Sequence, residues 1–293
     1  MELVWGLEAC GAALLGLLVG SFLTTVIHRL PRMMDQDFAA ECAAHHQTHC
    51  HCGAMGADAA ATAPLTLTRP RSHCPHCSQS IAWHDRIPVL SYLVLRGRCR
   101  SCHTRISLRY PLVELATAAG FAFCTARWGF SPTGLAWCGF SAALLTLALI
   151  DWDTELLPDS ITLPLVWAGV LASALAWTGV ALPDAVFGAA AGYLSLWLVY
   201  WGCKLLTGKE GMGYGDFKLF AALGAWLGWQ ALVPLLLIAS LSSVLVALPM
   251  LLFQRLREGG YIPFGPFLAG AGFAAMVFGS DTVLRSLFAL AGM

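Results

Sequence analysis

Two short acidic stretches carry the residues best placed to do chemistry in this sequence. Asp151-Trp152-Asp153-Thr154-Glu155-Leu156-Leu157-Pro158-Asp159 follows the apolar run 135–150, and Gly213-Tyr214-Gly215-Asp216 precedes another. A carboxylate where an apolar helix meets a polar loop is costly to desolvate, so it is paired, hydrated or functional. Two carboxyls held a few Å apart cannot both ionise cheaply, and one keeps its proton near neutral pH. The ionised partner takes a proton from water while the neutral one polarises a carbonyl, which is the chemistry of amide hydrolysis. Such a pair titrates as a unit. Capping of the helix that follows is the competing explanation for Asp216, because a helix N-terminus favours an anion. Loop solvation or capping explains Asp153, Glu155 and Asp159 equally well. Gly213 and Gly215 lack a Cβ and would let backbone, including a substrate's, approach Asp216.

A second constellation is built from thiols. Cys74-Pro75-His76-Cys77 and Cys99-Arg100-Ser101-Cys102 are CxxC pairs separated by 21 residues. Each CxxC turn aims two thiolates at one point, and two turns complete a tetrahedral, closed, structural zinc site. A region of about 40 residues could hardly fold on its own core without such a staple. Disulfides are the alternative, and a cytoplasmic location disfavours them. His73, His76 and His103 crowd the same turns as substitute ligands. His45, His46, His49, Cys50, His51 and Cys52 form another His/Cys-rich tract within 42–52, read here as part of a loosely ordered insert over 33–68. Cys10, Cys124, Cys138 and Cys203 lie in or beside apolar runs and read as packing residues.

The elements that must position these groups are membrane helices. The chain is 58% hydrophobic and 12% charged, with a mean hydropathy of +0.68. Soluble domains average about 25% charged residues, so this composition belongs in a bilayer. Spans of about 20 apolar residues fall near 6–27, 111–127, 134–150, 160–178, 184–205, 217–232, 234–253 and 264–289. Pro234 would join the sixth and seventh by a tight hairpin or a kink. If eight spans alternate, 15 of the 17 Lys and Arg lie on one side. The positive-inside rule then puts both termini outside and the long polar loop, with both acidic stretches, in the cytoplasm. The first apolar run carries Glu2 and Glu8 instead of a basic leader, so it reads as an uncleaved helix. The expected fold is an all-α polytopic membrane protein with about eight transmembrane helices. Its parts are a first helix over 1–27, a zinc-ribbon-like cytoplasmic domain over 28–110 and about seven helices over 111–293. Gly188-xxx-Gly192 and Gly224-xxx-Gly228 fit close helix packing. No nucleic-acid partner is indicated.

The order of motifs resembles the bacterial type IV prepilin peptidases. The resemblance rests on Gly20-Ser21-Phe22-Leu23, Ile27-His28-Arg29-Leu30-Pro31, the CxxC turns and Ile87-Pro88-Val89-Leu90-Ser91-Tyr92-Leu93. Leu95-Arg96-Gly97-Arg98-Cys99, Arg109-Tyr110-Pro111-Leu112-Val113-Glu114, the two acidic stretches and Pro263-Phe264-Gly265-Pro266-Phe267 complete it. It implies a GxGD-type aspartic protease in the bacterial inner membrane with Asp151 and Asp216 as catalytic residues and Asp153 as a tuning neighbour. It further implies substrates that are type IV prepilins and type II secretion pseudopilins. Their basic leaders would be cut after a Gly at the cytoplasmic face, with Glu155, Asp159 or Glu210 as acidic partners. The new N-terminus would then be methylated with S-adenosylmethionine. For that step the resemblance points to the region 71–110, and to Gly97 within it. No Gly-rich nucleotide-binding turn supports it independently. Thr24 stands where the family usually has Asn.

Other classes remain open on the residues alone. A peptidase without methyl transfer is the nearest. A proton-coupled transporter would place its carboxylates near mid-membrane rather than at helix ends. A non-catalytic zinc-bearing scaffold would tolerate Asn at either aspartate.

Overall fold

The computed structural model describes residues 2–49, 65–69, 72–208, 212–252, 262–279, 282 and 285. Nine helices appear among them: α1 (Glu2–His49), α2 (Leu90–Val94), α3 (Arg109–Trp128), α4 (Pro132–Thr154) and α5 (Asp159–Ala174), then α6 (Leu182–Thr207), α7 (Tyr214–Leu227), α8 (Leu232–Leu252) and α9 (Gly265–Phe278). Stretches of α1, α4, α6 and α8 are long and apolar enough to cross a bilayer by themselves, and α5 and α9 are shorter apolar helices. The protein is an all-α, multi-pass membrane protein.

The chain forms two compact units. The first comprises residues 1–12 and 120–293, and α7 lies at its centre, packed by α5, α6, α8 and α9. Ten of the 14 residues of α7 are buried. Small residues let its neighbours come this close. A Cβ on Gly192 would stand 2.7 Å from the Phe220 carbonyl, one on Gly169 would stand 2.6 Å from Trp226, and Gly188 and Gly224 meet backbone to backbone. The expected packing roles of Gly188, Gly192 and Gly224 are therefore observed. Gly228 differs: its φ of 83° ends α7, and a 3-10 turn over Trp229–Ala231 leads into α8. The break between these helices thus falls at Gly228 and not at Pro234. Pro234 sits in the first turn of α8, where the missing N–H has no intrahelical partner to lose. Away from the acidic stretches, Trp137 lies 5.4 Å from Trp226 and Phe140 4.8 Å from it, closing the core with aromatic contacts.

The second unit covers residues 13–119 and extends beyond 28–110 at both ends. Gly16 and Gly20 bring α1 against α3, where added Cβ atoms would stand 2.7 Å from Ala118 Cα and 2.8 Å from Glu114 Cα. The helical part of α1 does not stop near residue 27. It continues through Pro31 to His49, so the first half of the expected loose insert is helical. Ala, Met, Gln and Glu make up nine of the 17 residues 33–49, and their helix propensity accounts for the extension. Beyond it, Arg29 Nη1 donates to Thr66 O at 2.9 Å, returning the chain to α1. The side chains of the His/Cys tract from His45 onward lie outside the described residues, as does Glu210. Thr24 donates to the Ser21 carbonyl of its own helix at 2.8 Å.

Candidate active site and metal centre

Three helix ends meet around the acidic stretches. α4 ends at Thr154, with Glu155 in a left-handed conformation (φ 57°) and its N–H bonded to the Asp151 carbonyl. That turn puts Asp151 on the buried side, 5% exposed, while Trp152, Asp153 and Glu155 face outward. Two residues of helix rotate a side chain by about 200°, so Asp151 and Asp153 cannot share a face.

Gly213 is the N-cap of α7 and Asp216 lies in its first turn, 7% exposed. The Gly213 backbone bonds to the Asp216 carboxylate, and the Asp151 charge acts on it directly. Asp216 therefore does cap its helix in part, reaching back from the third helical position as in a capping box. Its other oxygen, Oδ1, is buried with no hydrogen-bond partner. An orphaned carboxylate oxygen in an interior costs more than any cap returns.

The third helix end belongs to α9. A Cβ on Gly265 would stand 2.5 Å from Asp151 Oδ2 and 3.3 Å from Leu157. Leu157 also fills the space a Gly215 side chain would need, at 2.6 Å. Gly215 thus makes room for Leu157 of the same chain, whereas a Cβ on Gly213 would meet nothing nearer than Asp216 Oδ2 at 3.9 Å. Asp159, expected among the partners of a basic leader, pairs instead with Lys218 at 2.5 Å and joins α5 to α7 beside the site.

In the other unit the thiols of Cys74, Cys77, Cys99 and Cys102 all lie within 4.8 Å of one another. Cys74 Sγ and Cys102 Sγ are 3.7 Å apart, close to the ~3.8 Å edge of a tetrahedron with Zn–S bonds of about 2.3 Å. The two turns are built alike. Ser78 N bonds Cys74 O and Cys74 N bonds Gln79 O, just as His103 N bonds Cys99 O and Cys99 N bonds Thr104 O. Ser78 and His103 both take positive φ, and antiparallel bridges His73–Ser80 and Arg98–Arg105 close each turn. A hydrogen bond with Thr104 draws the Cys102 thiol down to about 6. Cys77 is pulled down by the Gln79 backbone, yet burial and neighbouring thiols push it up to about 11. Four thiolates repel one another in the absence of a cation, so the donor set fits a divalent soft metal. His73, His76 and His103 stand outside this four-thiol group.

Two family models match the chain: Bacterial Peptidase A24 N-terminal domain over residues 14–128 and Type IV leader peptidase family over residues 138–248. The chain is 49% identical to a prepilin leader peptidase/N-methyltransferase of Burkholderia pseudomallei (strain 1026b) over 279 residues, covering 95% of the chain and 88% of the relative. The chain belongs to the type IV leader peptidase family. Proteins of the same name from Aeromonas hydrophila and Pseudomonas aeruginosa are 48% and 46% identical over 277 and 280 residues. Those matches cover 93% and 95% of the chain and 91% and 93% of the relatives. No solved structure matches. In this leader peptidase fold the sequence reading missed three residues. Gly265, quoted only as part of a motif, abuts Asp151, and Leu157 wedges between two glycines. Glu114 is buried and accepts from Val89 N at 2.8 Å. Leu157 and Glu114 also stand in quoted motifs, the first acidic stretch and Arg109–Glu114, but no local pattern signalled the contacts of any of the three.

Proposed function

We propose that this protein is a bifunctional membrane enzyme that removes the leader from type IV prepilins and type II secretion pseudopilins and then methylates the new N-terminus. The relatives carry both activities in their names. The observation that carries the proteolytic half is the buried, unpartnered Asp216 Oδ1 under the influence of the Asp151 charge. One carboxyl of the pair takes a proton from water, and the resulting hydroxide adds to the scissile carbonyl carbon. The other donates its proton to the carbonyl oxygen, and collapse of the adduct expels the amine after it is protonated. Gly265 keeps Asp151 free of steric contact, and Leu157 and the capping bond from Gly213 fix the approach.

A prepilin leader is basic and precedes an apolar helix, so its scissile bond lies at the cytoplasmic boundary of the inner membrane. With eight alternating spans, both termini are periplasmic and both aspartates lie on the cytoplasmic side. Glu155 is exposed four residues after Asp151, on the face a basic leader would approach. Zinc at Cys74, Cys77, Cys99 and Cys102 holds the turns of a zinc-ribbon-like domain in shape.

S-adenosylmethionine supplies an electrophilic methyl group for the amine. Gly97 is the residue tied to this step: its φ is 66° and a Cβ would stand 2.7 Å from Tyr92 Oη, so no other residue closes this turn. The cleft beside it is lined by Arg96, Arg98 and Arg105 and, among the described residues, by no carboxylate, a poor fit for a donor whose net charge is positive. Gly97 therefore acts through the shape of the turn.

The deciding experiment is incubation of a purified prepilin with wild type, Asp216→Asn and Gly97→Val, each read by mass. Wild type is expected to release the leader and add about 14 Da to the product when S-adenosylmethionine is present. Asp216→Asn should do neither, and Gly97→Val should cleave without methylating. Cleavage by Asp216→Asn would remove that residue from the mechanism.

A further inference from the structure

We infer that the segment around α2 is a membrane-surface device, in which α2 lies in the bilayer interface and the adjacent arginines hold the phosphate of an anionic phospholipid. Leu90, Leu93 and Val94 are 55%, 65% and 70% exposed. Spacings of three and four residues put all three on one helix face. Exposed leucines scattered singly are ordinary, but an apolar face on a five-residue helix is a contact surface without its partner.

The position of α2 is fixed by a hydrogen bond. Val89 takes a φ of 56°, costly for a β-branched residue, and its N–H donates to the buried Glu114 carboxylate at 2.8 Å. Glu114 is five residues into α3, about 7–8 Å along the helix from Arg109. It sits where Gly20 of α1 packs against it. α2 is therefore held beside the N-terminal end of α3, which the proposed eight spans place at the cytoplasmic membrane boundary. A helix at that boundary buries its apolar face in the headgroup region.

Charge selects the occupant. A cleft of about 440 Å³ opens immediately after α2, lined by Tyr92, Arg96, Arg98, Arg105 and the exposed Leu108 among others. Arg98 and Arg105 are paired directly across an antiparallel bridge, and like charges directly opposite destabilise such a pair. Arg96 and Gly97 both take positive φ, turning the chain so that the third arginine joins the cleft. Among the described residues no carboxylate lines it. An anion between the guanidinium groups converts this repulsion into attraction through charge-assisted hydrogen bonds. A phospholipid headgroup satisfies both features together, because its phosphate meets the arginines while its acyl chains meet Leu90, Leu93 and Val94. A free anion would leave the apolar face unused. Anionic lipids of the cytoplasmic leaflet attract basic segments near the surface in this way.

The test uses the full chain reconstituted in nanodiscs of phosphatidylcholine with and without phosphatidylglycerol. Retained lipid is counted by native mass spectrometry, and amide exchange is followed over residues 89–95. Wild type is expected to retain phosphatidylglycerol over phosphatidylcholine by about tenfold or more, with slower exchange at α2 when it is present. The Arg96→Gln/Arg98→Gln/Arg105→Gln variant should lose both effects while keeping its zinc. The corresponding triple Lys variant should keep most of the preference. Equal retention by the Gln variant overturns the proposal, as does loss of retention in a Lys variant that still holds zinc. Protection of 89–95 by inorganic phosphate alone in detergent would make the cleft a free-anion site and also overturn it. Displacement of the lipid by S-adenosylmethionine would assign the cleft to the methyl donor instead.

Discussion

At the scale of single residues, the side chain at position 151 depends on the absence of one at position 265. A methyl group on Gly265 would stand 2.5 Å from Asp151 Oδ2, well inside contact distance. The carboxylate must then rotate or α9 must move, and a displacement of about 1 Å costs roughly a hundredfold in rate. Gly265→Ala is expected to lower prepilin cleavage by that order while leaving zinc content and methylation of an already cleaved pilin unchanged. Mass analysis of leader release checks it. Asp153→Asn should keep most of the wild-type cleavage, because Asp153 faces outward. The candidates Asp151 and Asp216, both buried, and the four cysteines, gathered at one point, were legible in residue type and spacing. The role of Gly265 was not, since about 110 residues separate it from the aspartate it accommodates and no local pattern encodes such an approach. The contact of Gly215 with Leu157, across nearly 60 residues, was hidden for the same reason.

At the scale of elements, α7 owes its central place to backbone contacts. An added Cβ on Gly224 collides with the Gly188 backbone, and overpacking at such a contact costs about 3 kcal/mol or more. Gly224→Leu is expected to lower the detergent melting temperature by several degrees and to abolish cleavage with it. Gly139→Leu, where nothing lies within 4 Å of a Cβ, should do neither. The cysteine turns make a different prediction. With no cation bound, a pKa drawn down to about 6 at Cys102 keeps one thiolate ready at neutral pH, and a bound zinc ion lowers that value further. Zinc is therefore expected to stay bound through pH 6 and to be released only as the pH falls further, and a chromophoric chelator would follow it. Helix positions were legible from apolar runs, but their ends were not. α1 outlasts its apolar stretch because good helix formers continue it, and α7 stops at a glycine inside an apolar run.

At the scale of the whole molecule, charge bias in the loops was the clearest signal in the sequence, and it needs no tertiary contact to be read. It predicts that alkaline phosphatase fused after Gly179 is active in cells and that the same reporter fused after Gly208 is not. What no run or count revealed was that the two cysteine turns are copies of one another in backbone, bridge and left-handed residue, offset by 25 positions. Too few residues are shared for the sequence to show it, because the hydrogen bonds are made by main-chain groups. This duplication makes the two turns spare parts for each other. Transplanting residues 73–80 in place of 98–105 conserves all four thiols and every main-chain bond of the turn, yet exchanges the Arg98–Arg105 couple for a His and a Ser. The resulting hybrid should still take up one zinc while shedding the positive charge beside α2. Metal retention and surface charge, which occupy the same eight residues in the natural chain, would then be inherited separately.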